Sequence, residues 1–264
     1  VTSRVKIMAR MDIAEKNIPQ DGRIKVKVEG KDLDLRVATL PTNFGEKITI
    51  RVLDTGATPL QMQDMGPTKK DYMRIKSIVE RPQGIVMITG PTGSGKTTTL
   101  YAMVNHIKTD AINIITLEDP IEYELKGINQ VGINEKTGLT FPFALRAVLR
   151  QDPDVIMVGE MRDMETAKIA IEASLTGHLV LTTLHTNTAV AAVTRLKNLG
   201  ISPYLIASSL NGVIAQRLVR RICDKCKQPY NPTMEELFKL KVRGKSLSDL
   251  KFYRGKGCVA CNHT

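Results

Sequence analysis

The stretch Ile85-Val86-Met87-Ile88-Thr89-Gly90-Pro91-Thr92-Gly93-Ser94-Gly95-Lys96-Thr97-Thr98 decides how the rest of the chain reads. Residues 85–88 are apolar, and four of the five residues 85–89 are β-branched, as in a strand buried on both faces. Residues 90–97 fit the pattern G-x4-G-K-[ST], and a helical stretch follows to about His106. Each part has a physical task. The glycines let backbone amides turn toward a phosphate, and the helix N-terminus adds the positive end of its dipole. Lys96 is spaced to reach the β- and γ-phosphates, and the Thr97 hydroxyl to ligate Mg²⁺. Residues 90–98 are therefore the candidate site for ATP. A glycine-rich turn without a ligand is the alternative, and the strand before and helix after the loop stand against it.

Downstream, short apolar runs alternate with helical patterns. Ile112–Leu117, Val155–Val158 and Leu179–Leu184 read as strands. Between the last two, Asp163–Thr176 reads as a helix, with Asp163 as its N-cap and Gly177 past its end. Such alternation predicts a parallel sheet wrapped by helices, an α/β fold. Ligands of open parallel sheets sit at the carboxyl ends of the strands. Two acids fall there, Glu118 in Ile114-Ile-Thr-Leu-Glu118-Asp119-Pro120 and Glu160 in Asp154-Val-Ile-Met-Val-Gly-Glu160. The second resembles a Walker B strand with Glu where Asp is usual. ATP hydrolysis needs an acid on the Mg²⁺ side and a group that orients or deprotonates water. Either acid could equally be an ordinary polar residue at a strand-to-loop junction. His178 and His185 bracket the run 179–184, and spacing alone assigns neither a role.

Upstream, residues 4–17 carry Val5, Ile7, Met8, Met11 and Ile13 at mixed helical spacing, which predicts a helix broken by Pro19, Asp21 and Gly22. Three segments alternate with period two: Ile24-Val26-Val28, Leu33-Leu35-Val37 and Ile48-Ile50-Val52. These predict half-buried antiparallel strands. Residues 1–54 are thus expected to form a small α+β domain, 55–67 a linker rich in Thr, Gly and Pro, and 68–264 the ATPase domain. Arg36 and Arg51 fall on the polar parity of their strands, a face that could also meet only solvent.

The four cysteines form two pairs, Cys223-x-x-Cys226 and Cys258-x-x-Cys261. Two such chelating turns suit tetrahedral Zn²⁺. The segment 227–257 between them exceeds the common spacing of about 15–20 residues, so part of it must loop out. Residues 221–264 are the expected zinc module. Disulfides are the alternative, disfavoured without an export signal.

A net charge of +11 is compatible with nucleic acid, an anionic membrane surface or simple solubility. The basic residues are scattered among acids. Aromatics are 4% with no Trp, which supplies few stacking platforms for single strands. No apolar run approaches the about 18–20 residues that span a bilayer. The chain opens on Val1 and is expected to be a piece of a longer protein.

Four motifs occur in order: residues 90–97, Thr116–Glu122, Leu149–Asp163 and Thr176–Thr186. The series resembles the Walker A, Asp box, Walker B and His box of the type II/type IV secretion ATPase superfamily, and the resemblance covers essentially the whole chain. It implies a RecA-like P-loop ATPase domain preceded by a PAS-like domain, in a ring of six copies. It also implies that Glu118 activates water, that Glu160 stands near the metal, and that His185 senses the γ-phosphate. Arg36 and Arg51 would be presented to nucleotide as the ring closes. Arg146, Arg150 and Arg162 would lie around the site or the subunit interface. The cysteine pairs resemble those of secretion and pilus-assembly members rather than retraction members. The implied setting is peripheral, on the cytoplasmic face of a bacterial inner membrane. Its partners there would be platform and docking proteins, with no stable nucleic-acid partner. A nucleic-acid-dependent RecA-like motor, a DNA-uptake pilus ATPase and a regulatory nucleotide-binding module are the alternatives.

Overall fold

In the computed structural model, which describes residues 1–54, 61–239 and 250–263, the chain separates into two compact units, Val1–Arg217 and Leu218–Thr264. The first unit holds two sheets. Helix α1 (Thr2–Met8) precedes an antiparallel sheet of β1 (Gln20–Val28), β2 (Lys31–Thr42) and β3 (Gly45–Asp54), with β2 central. Helix α2 (Lys69–Val79) leads into β4 (Gly84–Thr89), α3 (Lys96–Ile107), β5 (Ile114–Glu118), β6 (Asn129–Gly132), α4 (Phe141–Val148) and β7 (Val155–Val158). Then follow α5 (Met164–Leu175), β8 (Leu179–Leu184), α6 (Ala189–Asn198), α7 (Pro203–Ser209) and β9 (Leu210–Ala215). Part of the expected linker, including Thr55, Gly56, Thr58 and Pro59, lies outside the described residues.

The second sheet is parallel throughout, in the order β6-β5-β7-β8-β4-β9. Residues of β4, β5, β7 and β8 are buried along their whole length. Their side chains alternate between two helix layers. Ile85, Met87, Ile156 and Val158 pack with Leu145 of α4 and Ala170 of α5. Val86, Ile88, Val155 and Met157 pack with Leu100 and Met103 of α3. Both faces need apolar residues, which is why these strands read as continuous apolar runs. Asp163 caps α5 as expected, accepting the Thr166 amide at 2.8 Å.

The first helix is shorter than its pattern. It ends at Met8, where Arg10 takes φ 57 and the Met11 amide turns back to the Lys6 carbonyl. Met11 thereby packs with Ala9, Ile24 and Val37. Asp12 and Glu15 then accept the amides of Ala14 and Asn17, local bonds that compete with a helix. Lys6 is buried, paired with Glu46 and bonded to the Glu15 carbonyl at 2.6 Å. The apolar face of the small sheet is only partly covered: Ile24 and Val37 are buried, whereas Ile50 and Val52 remain exposed.

The second unit carries β10 (Lys227–Pro229) paired antiparallel with β11 (Tyr253–Gly255), and α8 (Met234–Lys239) between them in sequence. Residues 240–249, within the segment expected to loop out, lie outside the described residues. Among the described residues no helix is long and apolar enough to cross a membrane.

Ile156 is fully buried in the central strand β7. Ile156→Ala should destabilise the first unit by about 2–5 kcal/mol, the cost of lost burial plus an unfilled cavity. Denaturant titration followed by a signal from that unit reads this directly.

Candidate active site

The carboxyl ends of β5, β7, β8 and β4 form one edge of the sheet, and a cleft of about 470 Å³ opens there. The loop between β4 and α3 makes one wall. Gly93 and Gly95 take φ 76 and 84, backbone that side chains rarely adopt. At Gly90 a Cβ would stand 2.4 Å from the Gln216 carbonyl oxygen, so only glycine fits. Lys96 donates to the carbonyls of Gly90 at 3.0 Å and Pro91 at 3.1 Å, which folds its side chain back over the loop. Burial lowers the Lys96 pKa, and the nearby Glu160 charge opposes that shift. Thr92, Thr97 and Thr98 line the cleft, while Ser94 is buried, its hydroxyl without a hydrogen-bond partner among the described residues.

Glu118, Glu160 and His185 come together in this cleft with the loop. The two carboxylates sit in different surroundings. Glu118 is buried and accepts hydrogen bonds from neutral groups: the Tyr101 hydroxyl on Oε2, and on Oε1 Thr116 Oγ1 at 2.6 Å and Gln130 Nε2 at 3.0 Å. Glu160 instead meets an arginine and a histidine. Arg162 hydrogen-bonds it, and His185 Nε2 lies 3.3 Å away. Burial raises the Glu160 pKa, but the hydrogen bond and charge of Arg162, then His185, outweigh it and leave the carboxyl below its ordinary value. The same contact raises the Arg162 pKa. Arg162 also lies 3.7 Å from Asp119.

Tyr101 and Gln130 lie outside the four motifs, and Thr116 only opens one. Thr116 carried a signal, since residues two apart on a strand share a face with each other. Gln130 carried none, because its contact depends on the pairing of β5 with β6. His178, at the other end of β8, bonds the Ala173 carbonyl at 2.9 Å and closes the turn after α5. Arg146 pairs with Glu165 at 2.6 Å, and Arg150 bonds the Arg146 carbonyl, both outside the cleft lining.

Arg36 and Arg51 do not line the cleft. The register sets Arg36 opposite Arg23 on one side and Arg51 on the other, a row across the polar face of the small sheet. Arg36 pairs with Glu122 at 2.8 Å and donates to the Ile121 carbonyl at 3.0 Å. Glu122 does line the cleft, so the small sheet touches its rim. Arg51 is exposed.

In the second unit the sulfurs of Cys223, Cys226, Cys258 and Cys261 lie within 4.8 Å of one another. The contacts Cys223–Cys258 and Cys226–Cys261 are 3.9 Å, and Cys258–Cys261 is 3.8 Å. An S–S bond is about 2.05 Å, so these are not disulfides. A zinc tetrahedron with bonds of about 2.3 Å has edges of about 3.8 Å. The donor set and its spacing fit Zn²⁺.

A family model described as "Type II/IV secretion system protein" matches residues 1–264. The chain is 52% identical over 265 residues to the type II secretion system ATPase E of Vibrio cholerae, covering 100% of this chain and 52% of that protein. It is 53% identical over 262 residues to the type II secretion system protein E of Pseudomonas aeruginosa, covering 99% and 52%. The chain thus spans about half the length of the curated relatives it matches. Among solved structures it resembles the pilus retraction motor PilT with bound ADP, at 38% identity and TM-score 0.66, covering 77% of this chain and 60% of that one. It also resembles the ATPase DotB of Yersinia pseudotuberculosis, at 26% identity and TM-score 0.66, covering 94% and 72%.

The contrast between the two carboxylates gives a test. The folded pKa of Glu160 is depressed, so its contribution to stability is present above the unfolded carboxyl pKa and lost as pH falls through the folded one. Arg162→Ala removes the larger of the two lowering partners and leaves burial in place. The Glu160 pKa should then rise, read by carboxyl-carbon NMR titration, and the acid-side stability should start to fall at a higher pH.

Proposed function

The chain belongs to the type II/IV secretion system protein family, and from that premise we propose that it is the motor core of a secretion ATPase that hydrolyses ATP. The observation that carries this reading is the cleft in which the loop 90–97 faces Glu118, Glu160 and His185 from neighbouring strand ends. The loop amides and the N-terminus of α3 favour the triphosphate. Lys96 exchanges its neutral carbonyl acceptors for charged phosphate oxygens, a stronger bond. Thr97 would supply the hydroxyl for Mg²⁺, and Glu160, which lines the same cleft, is the acid assigned to the metal. Mg²⁺, when bound, neutralises charge on the phosphoryl group. Glu118 takes the proton of the attacking water. His185 senses the γ-phosphate, which its pairing with Glu160 at the cleft supports.

Arg36 and Arg51 are the arginines assigned to phosphate charge. Arg36 is engaged with Glu122 here, so this role requires the small sheet to move, or a neighbouring copy in a six-membered ring to supply the arginine. Such movement would be the mechanical output, passed to platform and docking proteins on the cytoplasmic face of a bacterial inner membrane. The names of the curated relatives support a type II secretion setting, and the cysteine cluster supports an assembly or secretion member over a retraction member. Zn²⁺, when bound by the four cysteines, ties the two turns of the second unit into one closed structure.

Steady-state ATPase assays at several protein concentrations test the reading. Glu118→Gln should keep ATP binding and lower turnover about 100- to 10,000-fold, the range for a lost general base. Lys96→Ala should weaken ATP binding about tenfold or more. Activity per chain should rise with protein concentration and ignore single-stranded DNA. Stimulation by DNA would overturn the secretion reading in favour of a nucleic-acid motor. Separately, Cys223→Ser should abolish bound zinc, measured by metal analysis of the purified chain, and expose the second unit to proteolysis. Unchanged zinc content would remove the metal assignment.

A further inference from the structure

Glu118 owes its orientation to a side chain that no motif points to. Tyr101 lies on α3, one turn beyond the phosphate loop, and is fully buried. Its ring meets that of Tyr123 edge-on, with centroids 4.5 Å apart and planes at 90°. That packing leaves the hydroxyl one position. It donates to Glu118 Oε2 and accepts the Glu122 amide at 3.2 Å. Among the described residues Tyr101 is the sole hydrogen-bond donor to Oε2, whereas Oε1 has two, Thr116 and Gln130.

We propose that Tyr101 is a positioning residue for ATP hydrolysis, its hydroxyl fixing the direction of Glu118 Oε2. The inference rests on the reading of Glu118 as the group that takes the proton of water. A buried carboxylate on a short side chain can rotate about its last torsion, which is broad and soft. Donors on both oxygens remove that freedom. In general a donor to a carboxylate favours its charged form, so removing such a donor moves the pH at which the group takes a proton.

Other titratable groups lie around Glu118. Tyr123 stands in the loop after β5, and Lys96, Asp119, Glu160 and His185 share the cleft. Arg162 is engaged with Glu160, and Glu122 with Arg36. Only Tyr101 among these hydrogen-bonds Glu118. Burial, then the charge and hydrogen bond of Glu118, push the Tyr101 phenol well above its ordinary value. The hydroxyl therefore keeps its proton, and remains a donor, across the working pH range.

Tyr101→Phe deletes the hydroxyl and keeps the ring. With ATP and Mg²⁺, kcat should fall about tenfold with KM unchanged, and the acid limb of the kcat profile should move up by about one pH unit. Placing 3-fluorotyrosine at this position keeps the shape but strengthens the donor, and should move the limb the other way. A residue that merely fills space would shift neither limb. Glu118→Gln, measured alongside, separates the two readings. If it abolishes turnover while both tyrosine substitutions keep the wild-type limb, the proposal is overturned and the Glu118 assignment stands. If Glu118→Gln turns over at the wild-type rate, that assignment falls and the proposal falls with it. A rise in KM matching the fall in kcat for Tyr101→Phe would place the hydroxyl's effect on the phosphate loop, which also overturns the proposal.

Discussion

The strands β5, β7, β8 and β4 lie side by side in that order, buried on both faces. Their ladders align the carboxyl ends: Thr89 pairs with Leu184, Val158 with Thr182, and Leu117 with Val158. A slip of one residue would send each inward-facing side chain to the opposite helix layer, so packing on both faces pins the register. It would also displace a strand end by about 3.3 Å, more than the length of a hydrogen bond. The cleft depends on that alignment. The phosphate loop, His185, Glu160 and Glu118 are consecutive in space because β8 and β7 lie between β4 and β5, although the chain visits β5 directly after β4 and α3.

Within that frame the surroundings, rather than the residue type, distinguish two glutamates. Glu160 sits beside Arg162 and His185, and the hydrogen bond and charge of Arg162, then His185, outweigh the effect of burial. Glu118 is more deeply buried and meets hydroxyls and an amide instead of cations. A carboxylate paired with an arginine is a poor proton acceptor. Which neighbours each strand end receives thus gives two residues of one type two different electrostatic surroundings.

Much of this was legible in sequence because it is local. The loop 90–97, the acids at strand ends and the Asp163 cap all depend on residues a few positions apart. The spacing of Cys223, Cys226, Cys258 and Cys261 likewise foretold their convergence, since each pair is fixed by its own turn. What failed was also physical. The apolar spacing of residues 4–17 suggested a longer helix, yet Arg10 at positive φ ends it and lets Met11 reach the core of the small sheet. Parity placed Arg36 and Arg51 on the polar face correctly, and only the register could show that they stand directly opposite each other. The partners of Glu118 were hidden for the same reason, because Tyr101 and Gln130 reach it through tertiary packing and strand pairing.

One short segment after β5 joins these features. Its Ile121 carbonyl and Glu122 carboxylate hold Arg36 of the small sheet, while the Glu122 amide bonds the Tyr101 hydroxyl of α3. Arg36 makes both contacts through one terminal nitrogen, Nη2, and its Nε has no hydrogen-bond partner among the described residues, so the guanidinium keeps donors to spare. Its departure would leave Glu122 without its cation, in a segment whose amide contacts the donor of Glu118. The small sheet and the buried carboxylate are therefore linked by three consecutive polar contacts: Arg36 to Glu122, Glu122 to Tyr101, and Tyr101 to Glu118.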